Sequence, residues 1–217
     1  MSKTATKLRA YHGDSDLKDS TVELARLGRE ADEFVHGLYY KENGGREFCA
    51  VGCLTHDPEG GHHLYPERWG IPEWLAHLED GIFEGLPIEK AKLWPERFLS
   101  AIPVGADFDG LADRLAIRRL KEECLPLSGQ WPESVRAEVV AAIEQTVAAL
   151  EGKGDRSAAR FAARSAWSAA ESAWSAAGSA RSAAGSARSA AGSAAESGAY
   201  EREADRVVTE LEALSTS

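Results

Sequence analysis

From Ser165 to Gly192 the chain reads SAWSAAE SAWSAAG SARSAAG SARSAAG, a strict seven-residue repeat. On a helical wheel at about 100° per residue, the second, fifth and sixth positions share an arc of about 100°. All three are alanine: Ala166, Ala169 and Ala170, then Ala173, Ala176 and Ala177. Ala159, Ala162 and Ala163 extend this face upstream. Ala204, Val208 and Leu211 extend it downstream, with Tyr200, Val207 and Leu214 on one edge. A period of seven favours a left-handed supercoil, and small side chains let backbones approach closely. Alanine buries little area, and Gly178, Gly185 and Gly192 each cost a helix about 1 kcal/mol. A lone helix of about 90 Å built this way is marginal, so residues 156–214 are expected to need a partner. Trp167 and Trp174, one heptad apart, are candidate anchors. The alternative for this stretch is a low-complexity linker.

The rest of the chain differs in kind. All eight prolines lie at or before Pro132 and all six histidines at or before His77. Two parts follow: an acidic helical head, 1–152, and an alanine-rich heptad helix for oligomerisation, 153–217. From Lys153 onward acids and bases balance at eight each, so the head carries the whole net charge of −10. Binding to a phosphate backbone rests largely on Lys and Arg, so nucleic acid is not an expected partner. Three cysteines, an odd number, and no secretory leader point to a reducing cytoplasm. No apolar run is long enough to span a membrane.

In chain order, residues 1–15 are polar, and Ser20 or Thr21 caps a helix to about His36, ended by Gly37. Leu38 to Phe48 places aromatics about Asn43-Gly44-Gly45, the pattern of a short β-hairpin. Asp57 to His63 is a loop. Pro72 opens a helix with Trp74, Leu75, Leu78, Ile82 and Phe83 on its inner face, ending near Gly85. Helices are predicted from Trp94 to Ile102, from Asp107 or Asp109 to Cys124, and from Pro132 to Leu150, with a loop at Leu125–Trp131. Gly152 to Asp155 is a hinge, and Asp155 a natural N-cap. The expected fold is mainly α: a small helical head with a short β-hairpin, then a long alanine-rich helix packed as a close antiparallel or intersubunit coiled coil.

Candidate chemistry gathers between residues 34 and 108. Cys49-x3-Cys53-x2-His56, with His62 and His63 behind, has thiolate and imidazole ligands of the kind zinc takes. The cysteine spacing departs from the usual pair and no second pair follows, so the cysteines read as buried structural residues and no metal or cofactor is expected. Cys49 at a helix N-terminus with His56 or His63 as base is the catalytic version. Glu79 and Asp80 lie on a predicted helix, where paired carboxylates could do acid–base work; a solvated acidic face is the plainer reading. Tyr39, Tyr40 and Trp69 could stack on a planar ligand, with Cys49, His56, His63, Arg68, Glu79 and Asp80 as the polar part of that site.

The segments CAVGCLTH at 49–56, Tyr65 with Glu67, GIPEWLAHLEDGIFEGLP at 70–87 and WPERFLSAIPVGADF at 94–108 resemble a family of proteins encoded by phages and prophages. That family also carries an alanine-rich tail. Phe48 stands where a glycine is expected before the first cysteine, so the backbone is expected to differ there. The resemblance brings no catalytic residues with it. It implies an accessory phage protein made inside a bacterium. The expected function is to counter bacterial defence by sequestering a nucleotide-derived immune signal in a homo-oligomer joined through residues 156–214. The alternatives are a protein–protein inhibitor of a host defence enzyme and a Cys/His or metal-assisted hydrolase.

Overall fold

Asp14 starts the first helix. Its carboxylate accepts from the backbone N–H groups of Asp16 at 2.8 Å and Leu17 at 3.3 Å, an N-cap, and α1 runs Ser15–Glu30. The helix begins earlier than Ser20 or Thr21 because Thr21 spends its hydroxyl inside the helix, on the Leu17 carbonyl at 2.7 Å. It also ends before His36. Asp32 turns the chain with φ 57°, and Phe34 then enters the core edge-on to Phe83, ring centroids 6.0 Å apart. The apolar spacing that reads as helix through Ala31 and Phe34 is core-seeking without being helical.

The computed structural model describes residues 7–37, 40–42, 46–57, 60–131, 133–155, 157–158 and 186–216, and it is mainly helical. Two three-residue strands, β1 (Tyr40–Glu42) and β2 (Arg46–Phe48), pair antiparallel with Tyr40 opposite Phe48; residues 43–45 between them lie outside the described residues. Then come α2 (Ala50–Thr55), α3 (Tyr65–Trp69), α4 (Glu73–Gly85), α5 (Ile88–Ala91) and α6 (Trp94–Ala101). They are followed by α7 (Leu111–Arg119), α8 (Leu125–Leu127), α9 (Glu133–Leu150) and α10 (Ser186–Glu212). No helix among the described residues is long and apolar enough to cross a membrane.

The chain divides into two compact units, 1–109 with 194–217, and 110–193. The boundary expected at residue 152 is not where it divides. The end of α10 belongs to the first unit: Ala204, Val207, Val208, Leu211 and Leu214 are buried. Ala106 forms a bridge with Thr216, and Asp107 N–H donates to Ser215 O at 3.3 Å. The last part of the segment assigned to oligomerisation is therefore committed to packing within its own chain. Its large side chains gain more by burial there than the alanines before them could.

The start of the first unit is more buried than its polarity implies. Tyr11 is 0% exposed and its hydroxyl donates to Leu99 O at 2.6 Å. Ala10 exchanges backbone hydrogen bonds with Gly105 and Ala106. A single tyrosine in a polar run carries no periodic signal, so only the folded chain reveals it. The helices then pack closely. A Cβ on Gly28 of α1 would stand 2.4 Å from Cys53 Sγ of α2 and 3.4 Å from the Phe34 ring, so glycine is required by contact. Gly28→Ala should lower stability by about 1–3 kcal/mol, read as a shifted midpoint of urea unfolding with an unchanged m-value.

In the second unit, α7 continues through a π-helical turn, Leu120–Cys124, and helical turns persist to Gln130. A loop is expected there from sequence. Arg136 of α9 replaces it with ordered structure by donating to the carbonyls of Ser128 at 3.1 Å and Trp131 at 2.9 Å, and Pro126 falls in a first turn, where proline is tolerated. Gly152, at φ 74°, ends α9, and Asp155 accepts from Ser157 N–H at 2.7 Å, the cap expected there. Residues 159–185, which hold Trp167, Trp174 and most of the heptads, lie outside the described residues.

Candidate functional site

Helix α4 is the element around which the predicted site residues gather. Pro72 precedes it in an extended conformation, φ −60° and ψ 140°, and so ends the preceding segment at the helix start. Its inner face is Leu75, Ala76, Glu79, Ile82 and Phe83. Trp74, expected inward, is 38% exposed, and Glu79, whose plainer reading was a solvated face, is 0% exposed. Specific bonds offset the cost of burying that carboxyl. Tyr65 of α3 donates its hydroxyl to Glu79 Oε2 at 2.6 Å. Trp94 of α6 donates its indole N–H to the Glu79 backbone carbonyl at 3.0 Å. One residue thus joins three helices.

Burial dominates the charge state of Glu79. Loss of water pushes its carboxyl up to about 8; the Tyr65 hydrogen bond opposes this and the neighbouring charge of Asp80 adds to it. The Tyr65 phenol is held well above its ordinary value, first by burial and then by Glu79. Asp80, on the next position, receives His62 Nε2 at 3.2 Å. His62 in turn stacks on His77 of α4, centroids 4.0 Å apart and 12° from parallel. Glu79 Oε1 and Asp80 Oδ1 are buried without a hydrogen-bond partner among the described residues.

Cys49 belongs to the same cluster. It is the N-cap of α2, its sulfur accepting Gly52 N–H at 3.3 Å. The helix start was expected to favour a thiolate. Burial wins, with the charge of Asp80 acting in the same direction, and the thiol is pushed above its ordinary range. Cys53 is likewise pushed up to about 12, by burial and by Glu33, to which its thiol donates at 3.8 Å. None of the three cysteines is in a disulfide.

The other predicted residues are dispersed. His56 ends α2 in the left-handed region, φ 53°, with its exposed ring against Phe48, centroids 5.7 Å apart. His63 is exposed and approaches Asp57 at 4.0 Å. The Cys49 sulfur accepts from Gly52 N–H, and burial with the charge of Asp80 disfavours the thiolate that Cys/His catalysis requires. Arg68 is exposed and donates to Thr55 O at 2.9 Å. Trp69 is a core side chain, 5% exposed and edge-on to Tyr65. Tyr39 lies outside the described residues, and Tyr40 is described by its strand backbone. A stacking platform built from Tyr39, Tyr40 and Trp69 therefore loses Trp69, which fills the core.

The fold thus brings Cys49, Glu79 and Asp80 together with His62, which the sequence reading placed near Cys49, and adds Tyr65 and His77, which it had not grouped with them. The sequence PERW at 66–69 is matched by PERF at 95–98, and in both copies the proline opens a short helix in contact with α4. Among the described residues, no group of three or more His, Cys, Asp or Glu side chains is placed to hold a metal ion. The cluster's chemistry is that of a buried polar core with two carboxylate oxygens left without a hydrogen-bond partner among the described residues. No protein-family model, no curated protein and no solved structure matches the chain.

Proposed function

We propose that this chain is a phage-encoded accessory protein that counters bacterial defence by binding a host protein, with the first unit as its binding surface. The observation that carries the reading is the segregation of charge. The first unit holds 26 acidic and 14 basic residues, the second 9 and 11. A surplus of −12 on one unit attracts a basic protein surface and repels phosphates. This weighs against sequestration of a nucleotide-derived signal, as does the state of the nearby cations. Lys90 and Arg97 line a cleft of about 300 Å³, but Glu201 and Asp205 already pair with them at 2.7 Å and 2.8 Å. An anionic ligand would have to displace both carboxylates. Hydrolysis is weakened by the buried thiol of Cys49. Coiled-coil assembly through the heptads, in the host cytoplasm, completes the proposal: it would present several acidic units at once and raise avidity.

Expressed in a bacterium whose defences restrict a phage, the chain should restore plaque formation. Cys49→Ala should keep that activity. Reversing the exposed acids Glu67, Glu73 and Glu89 to Lys should lower it by about tenfold or more, in line with the loss of electrostatic steering. Loss of protection on Cys49→Ala would turn the reading toward catalysis. A nucleotide-derived ligand that raises the melting temperature by several degrees would replace the protein target with a small one.

A further inference from the structure

A groove runs along the first unit between α6 and α10. One cleft of about 300 Å³ has Leu86, Trp94 and Ala204 in its lining, and a second of about 540 Å³ continues it past Ala101 and Val208. Arg97 and Asp205 line both, so the two form one feature. The helices on its sides run in the same direction. Lys90 just before α6 meets Glu201, and Arg97 two turns further along meets Asp205, each pair spanning the groove.

The walls therefore differ in sign. The α5–α6 side is cationic, with Lys90 and Arg97, and the α10 side is anionic, with Glu201, Asp205 and Glu212. The paired side chains keep much of their surface in solvent: Lys90 56% and Glu201 37%, Arg97 48% and Asp205 68%. Leu93, a lining residue, is 54% exposed.

Such a groove is complementary to itself. Turn a second copy by half a revolution about an axis lying along the groove, and its cationic wall covers the first copy's anionic wall, and the reverse. Isologous two-fold contacts require this property. We infer that the groove is a homodimer interface whose occupant is a second copy of this chain. Exposed ion pairs contribute little, so sharing them between copies costs little, while burial of Leu93 at the contact is a gain. A foreign segment would need the same division of charge, which a second copy already has. The inference concerns a surface separate from the heptads at 165–192 and does not depend on the identity of the host target.

The test uses the full chain in two complementary forms. K90E/R97E makes the groove wholly anionic, and E201K/D205R makes it cationic apart from Glu212. By light scattering after size exclusion, the wild type should have twice the mass of each variant alone, whatever assembly the heptads add. An equimolar mixture of the two should return to the wild-type mass, because each wall again meets its opposite. Leu93→Lys leaves both intrachain pairs in place and should weaken the dimer by about tenfold or more, which separates assembly from folding. A monomeric wild type overturns the inference. So does a mixture that stays at the mass of the separate variants, or an assembly that survives unchanged in both double variants.

Discussion

Removal of residues 198–217 should abolish cooperative unfolding of the first unit. In sequence the segment reads as the downstream continuation of the alanine face, assigned to assembly between chains. In the fold it contributes five buried apolar residues, Ala204, Val207, Val208, Leu211 and Leu214. Burial of a large aliphatic side chain is worth about 1.5–3 kcal/mol, so the four larger ones together approach the whole stability of a typical domain, about 5–15 kcal/mol. The Tyr200 ring also rests where a Cβ on Gly85 would stand, 2.4 Å from its nearest atoms, so the last turn of α4 is shaped to receive it. Circular dichroism melts of the full and shortened chains decide the matter. An unchanged, cooperative melt in the shortened chain would mean that the end of α10 is an accessory strap.

Replacing Glu79 by Gln should make the protein more stable at alkaline pH and flatten its dependence on pH. In the folded state the Glu79 carboxyl titrates near 8, against 4.5 for the ordinary group. Between those values the folded chain holds a proton that the unfolded chain has released. Stability therefore falls as pH rises through this window. The slope is about 1.4 kcal/mol for each pH unit of displacement, so the cumulative loss reaches several kcal/mol above pH 8. Glutamine keeps an oxygen for the Tyr65 hydroxyl and cannot ionise. Urea unfolding at pH 5, 7 and 9 should show wild type and Glu79→Gln converging in acid and separating in base, with the variant more stable. Parallel profiles would mean that Glu79 is not the titrating group. Neither outcome involves catalysis, which fits a cluster whose thiol and carboxyl are both held in their neutral forms by burial.

Both predictions turn on residues whose identity was plain but whose placement was not. The starts and ends of α4, α6 and α9 fall within a residue or two of the sequence reading, because prolines and glycines punctuate them. The apolar edge of the last helix was equally legible, as was the balance of charge before and after residue 153. Glu79 was not. Helical periodicity records apolar spacing, and a carboxyl at an inner position reads as a break in the pattern. It becomes an inner residue through Tyr65 and Trp94, which lie 14 and 15 positions away and belong to other helices. Tyr11 is the same case over a longer span, its partner Leu99 being 88 positions distant.

The amino-acid order by itself determined a mainly helical chain, an odd number of cysteines, an acidic majority before the repeat and an apolar stripe after it. These follow from propensity, composition and short-range spacing, which need no knowledge of neighbours. The tertiary structure alone decided that the C-terminal stripe packs into the first unit, that Cys49 meets Asp80, and that Lys90 and Arg97 face Glu201 and Asp205 across a groove. Each of these depends on groups far apart in the chain. Their energies come from desolvation and pairing, which are set by what surrounds a side chain once the chain has folded.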